Sequence, residues 1–134
     1  MSAEPRAVPC SAVPRAVRAI RGATTLDADT REDVFARVTE LLRVIVAENE
    51  VAHDDLISMI FTATPDIRSC FPATAARELG FDDVPLLGAQ ELDVDGALPL
   101  CVRVMMHVES DRSRADIRHA YLHGAVALRR DLSR

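Results

Sequence analysis

The most regular pattern in the chain lies between Val34 and Val46. Val34, Val38, Leu41, Leu42, Ile45 and Val46 recur at spacings of three and four, while Arg31, Arg37, Glu40, Arg43 and Glu48 fill the other side. That period predicts an amphipathic helix running to about Asn49. Asp29 with Glu32, or Thr30 with Asp33, offers a capping pattern at its start. Strand-like apolar runs cover residues 16–26, interrupted by Gly22, and residues 56–64, ended by Pro65-Asp66. Two more cover 84–87 and 100–108, while 116–122 fits a strand or a helix. Phe71-Pro72 opens a short helical stretch that Gly80 closes, since proline suits a first turn and glycine a left-handed C-terminus. Residues 91–96 read as an acidic turn and 125–129 as a short terminal turn. One long helix and about five strands, some consecutive without a helix between them, predict an α+β protein. The run Leu-Cys-Val-Arg-Val-Met-Met-His-Val over 100–108 is apolar on both faces of its strand. In so short a chain, burial on both sides points to an oligomer core.

A length of 134 residues suits one domain. Residues 1–14, with Pro5, Pro9 and Pro14, read as a flexible extension before a domain over 15–134. No stretch approaches the roughly 18 consecutive apolar residues of a membrane span, and the N-terminus lacks the apolar core of a secretory signal. Cys10, Cys70 and Cys101 form neither an even set nor a close pair, which suits a reducing cytoplasm. The net charge of −5 supplies no broad basic field for nucleic acid or a membrane surface. All 16 basic residues are arginine. That removes lysine Schiff-base chemistry and the phosphate-loop lysine, and any anionic ligand must be held by guanidinium forks. Codon usage in a GC-rich genome produces the same bias.

Nucleophile-elbow, dinucleotide-loop and zinc-protease motifs are missing. Cys101, mid-strand, reads as an inert core thiol. His119 and His123 are four apart, but no third ligand accompanies them, so no metal is expected. His53, beside Asp54-Asp55, reads as part of a solvated turn, and Asp93-Val94-Asp95-Gly96 lacks the distal glutamate of a calcium loop. Arg103 stands out because it interrupts an apolar strand between Val102 and Val104. Such a guanidinium must snorkel, pair with a carboxylate or face a polar cavity. Arg21 similarly interrupts the first strand beside Gly22, where a ligand could approach the backbone. Two readings stay open for these arginines: structural ion pairs, with Glu91 an available partner, or an anion pocket.

These segments resemble the monofunctional chorismate mutases of the AroH type. The matching stretches begin with Ile20-Arg21-Gly22-Ala23-Thr24-Thr25, Ala63-Thr64-Pro65-Asp66, Phe71-Pro72-Ala73 and Ala76-Arg77-Glu78-Leu79. They continue through Gln90-Glu91-Leu92-Asp93-Val94, Cys101-Val102-Arg103-Val104-Met105-Met106, Ile117-Arg118-His119-Ala120-Tyr121-Leu122 and Leu128-Arg129. The resemblance implies a homotrimer forming a pseudo-α/β barrel from five-stranded mixed sheets, with active sites between subunits. It implies a cofactor-free [3,3] rearrangement of chorismate to prephenate in aromatic amino-acid biosynthesis. Arg103 would face the breaking ether oxygen, Arg21 a substrate carboxylate, and Glu91 the ring hydroxyl. Tyr121 would add a hydrogen bond near the side-chain carboxylate. Phe71, Leu87 and Leu128 would shape apolar walls, with Arg77 and Arg129 near the closing parts of the site. The sequence departs from the family pattern at Gly88, where a cysteine is frequent, and at Thr74, where a lysine stands near the cleft mouth. The tail after Arg129 is short, so little closing segment is expected. The alternative reading is a non-catalytic trimer that binds a metabolite.

Overall fold

Thr30 starts the long helix. Its backbone is extended, and its hydroxyl accepts from the Asp33 N–H at 3.1 Å. Asp33 reaches back in turn, its Oδ2 accepting from the N–H groups of Asp27 at 2.6 Å and Ala28 at 3.1 Å. The predicted pattern therefore caps α1 (Arg31–Asn49) through Thr30 and Asp33. Glu50 ends the helix in a left-handed conformation, φ 51°, with its N–H returning to Ala47 O. The computed structural model describes residues 14–129, so nearly all of the expected extension over 1–14 lies outside the described residues.

Five strands follow from the apolar runs: β1 (Ala16–Thr25), β2 (Leu56–Ala63), β3 (Leu86–Gln90), β4 (Cys101–Ser110) and β5 (Ala120–Tyr121). They form one mixed sheet ordered β3-β2-β4-β1-β5. β4 pairs antiparallel with β1 and β2, whereas β3 and β5 join the edges in parallel. Two expectations shift. The strand expected at 84–87 starts at Leu86 because Asp82 and Asp83 close the turn after the short helix α2 (Pro72–Ala76). The segment at 116–122 gives only two paired residues, since Arg114–Asp116 form a 3-10 turn ahead of them.

Alternation decides which face α1 covers. Ile20, Gly22 and Thr24 of β1 lie on the helix side, as do Met59 and Phe61 of β2 and Val102, Val104, Met106 and Val108 of β4, all of them buried. Against them pack Val34, Val38, Leu41, Leu42 and Ile45, all fully buried. Each such aliphatic side chain contributes on the order of 2 kcal/mol. Asn49, also buried, clasps the helix end to the tail: its Oδ1 accepts from Arg118 N–H at 2.8 Å, and its Nδ2 donates to Arg118 O at 2.9 Å.

This packing accounts for Gly22, whose backbone also borders the cavity of Arg21 and Arg103. A Cβ there would stand 2.6 Å from Ile45 Cδ1 and 3.2 Å from both Leu41 Cδ1 and Val104 Cγ1. Gly22→Ala therefore overfills a closed core and lowers stability by about 1–3 kcal/mol, read as a fall in the urea midpoint. An unchanged midpoint would mean that α1 moves away freely.

The loops before α1 and α2 rest on carboxylates. Asp33 is held below the ordinary aspartate range, first by the Ala28 N–H and then by that of Asp27. Asp29 is lowered chiefly by a hydrogen bond from the Ser69 side chain, then by the Arg68 N–H. A depressed folded-state value stabilises the fold above the unfolded value of about 3.9, and that stabilisation is lost as the pH falls through the lower folded-state value. The melting temperature should therefore begin to fall below about pH 4. Asp33→Asn should melt lower at neutral pH and show a shallower acid slope; parallel curves would remove Asp33 from the cause.

Candidate active site

The sheet face away from α1 carries the odd positions of β1 and β4. One end is closed by the 3-10 turn His123–Arg129, where Ala23, Cys101 and Ala125 form a small buried cluster flanked by Tyr121, Leu98 and the half-buried Leu128. The rest of the face is open. Val17 is 58% exposed, Leu87 62%, and Ile60 is also exposed.

Arg103 projects from this face. Register sets Ala23 on one side of it and Thr62 on the other. Its Nε lies 3.2 Å from Glu91 Oε2 in an ion pair, with the arginine side chain 48% exposed and that of Glu91 24%. Glu91 follows β3 directly, fixed by its N–H to Ala63 O at 2.9 Å. The Thr62 hydroxyl donates to the same Oε2. Thr62 and Arg103 thus occupy one oxygen of Glu91. Among the described residues Glu91 Oε1 accepts no hydrogen bond, and the Arg103 guanidinium also lies beside the Cys101 thiol. A half-exposed pair of this kind is worth about 1 kcal/mol or less. Stability alone is thus a weak reason for a guanidinium in this strand.

Arg103 and Glu91 share a cavity of about 390 Å³ with Arg21, Tyr121, Ile60 and Met105. Arg21 is exposed, and its guanidinium makes no hydrogen bond or ion pair among the described residues. The cleft therefore has two cations, one carboxylate and a phenol over an apolar floor. Such a set can bind a dicarboxylate and polarise it, with donors and an acceptor at opposite places.

The other sequence-predicted residues gather elsewhere. Phe71, Arg77, Leu87 and Gly88 line a second, more apolar cavity of about 510 Å³, between the start of α2 and the edge of β3. Phe71 is 75% exposed. Thr74 sits beside it on α2, accepting from Arg77 at 3.3 Å. At Gly88 a side chain would meet nothing within 4 Å, so the frequent cysteine of the resemblance has room here. Leu128 and Arg129 lie at the 3-10 turn, Leu128 against the Tyr121 cluster and Arg129 exposed. Within one chain, then, the predicted residues divide between two clefts.

Thr62 and Met105 escaped the sequence reading. Their signal was register: both fall on the Arg103 face once β2 and β4 are aligned antiparallel. Thr64-Pro65-Asp66, among the resembling stretches, proves to be a structural knot. Thr64 Oγ1 accepts from the Cys101 N–H at 2.9 Å and donates to Asp66, while Asp66 Oδ2 accepts from the Leu100 N–H at 2.9 Å. Cys101 is buried, which raises its thiol above the ordinary range and keeps it unreactive. His123 pairs with Glu40 at 2.8 Å and His53 with Asp83 at 2.8 Å, so His53 sits in the expected turn but binds a more distant carboxylate.

The family model described as chorismate mutase type I matches residues 17–132. The chain belongs to the type I chorismate mutases. It is 47% identical over 118 residues to chorismate mutase AroH of Bacillus subtilis, covering 87% of this chain and 93% of that one. To chorismate mutase AroH of Thermus thermophilus it is 44% identical over 117 residues, covering 87% and 96%. A solved chorismate mutase from Clostridium thermocellum superposes with a TM-score of 0.80 at 45% identity, spanning 81% of this chain and 97% of that one. The fold is that of the family, and the chain is an isomerase of aromatic amino-acid biosynthesis.

Proposed function

We propose that this chain rearranges chorismate to prephenate in the Arg103–Glu91 cleft, completed by the Phe71–Arg77 cleft of a neighbouring copy. The observation that carries this reading is the division of the predicted residues between two separate clefts. A ligand in either cleft of one chain would meet only half of them.

The reaction is unimolecular and concerted, so it needs no nucleophile or base. It needs the folded conformer of the substrate and stabilisation of charge as the ether bond breaks. Arg103 donates to the ether oxygen as negative charge gathers there. Glu91 accepts from the ring hydroxyl through its free oxygen and opposes the positive charge developing on the ring. Arg21 holds one carboxylate, and Tyr121 adds a hydrogen bond beside it. From the neighbour, Phe71 and Leu87 wall the ring, Thr74 and the Gly88 backbone border it, and Arg77 draws in the dianion. Leu128 and Arg129 stand where the tail approaches the site.

Three copies closing into a barrel would bury the open sheet face, which supports a homotrimer. The catalytic unit is taken as residues 15–134, in keeping with the match over 17–132. Among the described residues no helix is long and apolar enough to cross a membrane. Cys70 and Cys101 are free thiols, in keeping with the cytoplasm. The test is loss of chorismate absorbance with purified protein, with prephenate identified as product and the mass measured in solution. Turnover by a three-chain species is expected. Folded, trimeric protein without turnover above the spontaneous rate would favour a metabolite-binding module, and a fully active monomer would overturn the shared site.

A further inference from the structure

The segment that carries Tyr121 is joined to β1 by little backbone. Only Ala120 and Tyr121 pair with it, opposite Gly22 and Ala23, and the Leu122 N–H donates to Ala23 O at 2.9 Å. One rung away, at Arg21, the acceptor is a side chain: the Arg21 N–H donates to Nδ1 of His119 at 2.9 Å. Nδ1 can accept only in the neutral ring with its proton on Nε2. Burial, and then the charge of Arg21, both lower the proton affinity of His119 and so favour that form.

We infer that His119 is a positioning residue for the rearrangement, fixing the backbone of Arg21 against the Tyr121 segment and thereby the origin from which the Arg21 guanidinium reaches the substrate carboxylate. The β1–β4 ladder holds the Arg21 backbone on its other side, opposite Met105, so the His119 contact sets where the Tyr121 segment lies relative to an Arg21 side chain that has no partner of its own among the described residues. His119 stands two residues from Tyr121 on the same short segment, so one ring ties together two groups aimed at the same end of the ligand. This inference rests on the placement of Arg21 and Tyr121 in the active site.

Asparagine carries its amide oxygen at the branch position of Nδ1, so His119→Asn can keep the acceptor, whereas His119→Leu removes it. His119→Leu should raise the KM for chorismate about tenfold with kcat changed much less, because misplaced carboxylate binding is lost. His119→Asn should restore most of that loss. A variant that merely folded less well would lower kcat per mole and leave KM alone. The double variant with Arg21→Ala separates the two readings. If His119 acts through Arg21, His119→Leu adds little once Arg21 is gone. Additive losses, or a His119→Asn variant that is folded yet as impaired as the leucine, would overturn the positioning role while leaving the site intact. If Arg21→Ala alone leaves KM and kcat unchanged, the site assignment itself fails. A nitrogen-15 spectrum of the wild-type protein gives a check free of folding effects: the Nε2–H tautomer is expected, and the Nδ1–H tautomer would sink the inference.

Discussion

Arg103→Ala should lose chorismate turnover by two to three orders of magnitude with little change in stability. The scale is that of removing one preorganised donor at a developing oxyanion, about 3–4 kcal/mol of transition-state stabilisation. Stability should hold because the Arg103–Glu91 pair is half exposed, and such pairs contribute about 1 kcal/mol or less. Lysine should not rescue. Arg103 places Nε 3.2 Å from Glu91 in an ion pair, and the proposed mechanism has the same guanidinium meet the ligand as well. A single ammonium cannot serve both places with that fixed geometry. The check is kcat and KM for alanine, lysine and wild-type proteins, beside their urea midpoints. Should Arg103→Lys retain most of kcat, a point charge would suffice and the directional donor would be unnecessary.

Subunit complementation gives the second large effect. Arg103→Ala spoils the cleft on the open sheet face, and Arg77→Glu spoils the apolar cleft by repelling a dianion. Each variant alone should be nearly inactive. A site between copies is intact when one chain supplies Arg103 and its neighbour supplies Arg77. Random mixing of equal amounts of the two variants makes this so for about one site in four. Co-refolded mixtures should therefore regain about a quarter of wild-type activity. Mixed oligomers that contain both chains and stay inactive would place both clefts' residues in one protomer's site, against the separation seen here.

Much of this architecture was legible from residue patterns. The 3.6 period from Val34 to Val46 and the Thr30–Asp33 cap located α1 because burial and capping are local. The interruption of an apolar strand by Arg103 drew attention to the cleft now proposed as the site, because a cation there needs a reason. Less legible was anything set by register across the sheet. Thr62 gained meaning only once it lay opposite Arg103, and His119 only once its ring met the Arg21 N–H. Gly22 was half legible in the same way: a glycine in a strand signals close approach, and only the structure shows a helix on one side of it and the cavity on the other. The segment at 116–122 was ambiguous since its short β5 is held largely by long-range bonds, to Ala23 and from Asn49, rather than by a period of its own.

Two unlike clefts at different places on one protomer can meet only head to tail. A contact of that kind repeats indefinitely unless the rotation at each step divides a full turn. In the proposed trimer, substitutions on the open sheet face that tilt the contact, while leaving every proposed site side chain in place, would thus convert the closed ring into an open filament. Solubility and catalysis in this protein would then depend on the same angle.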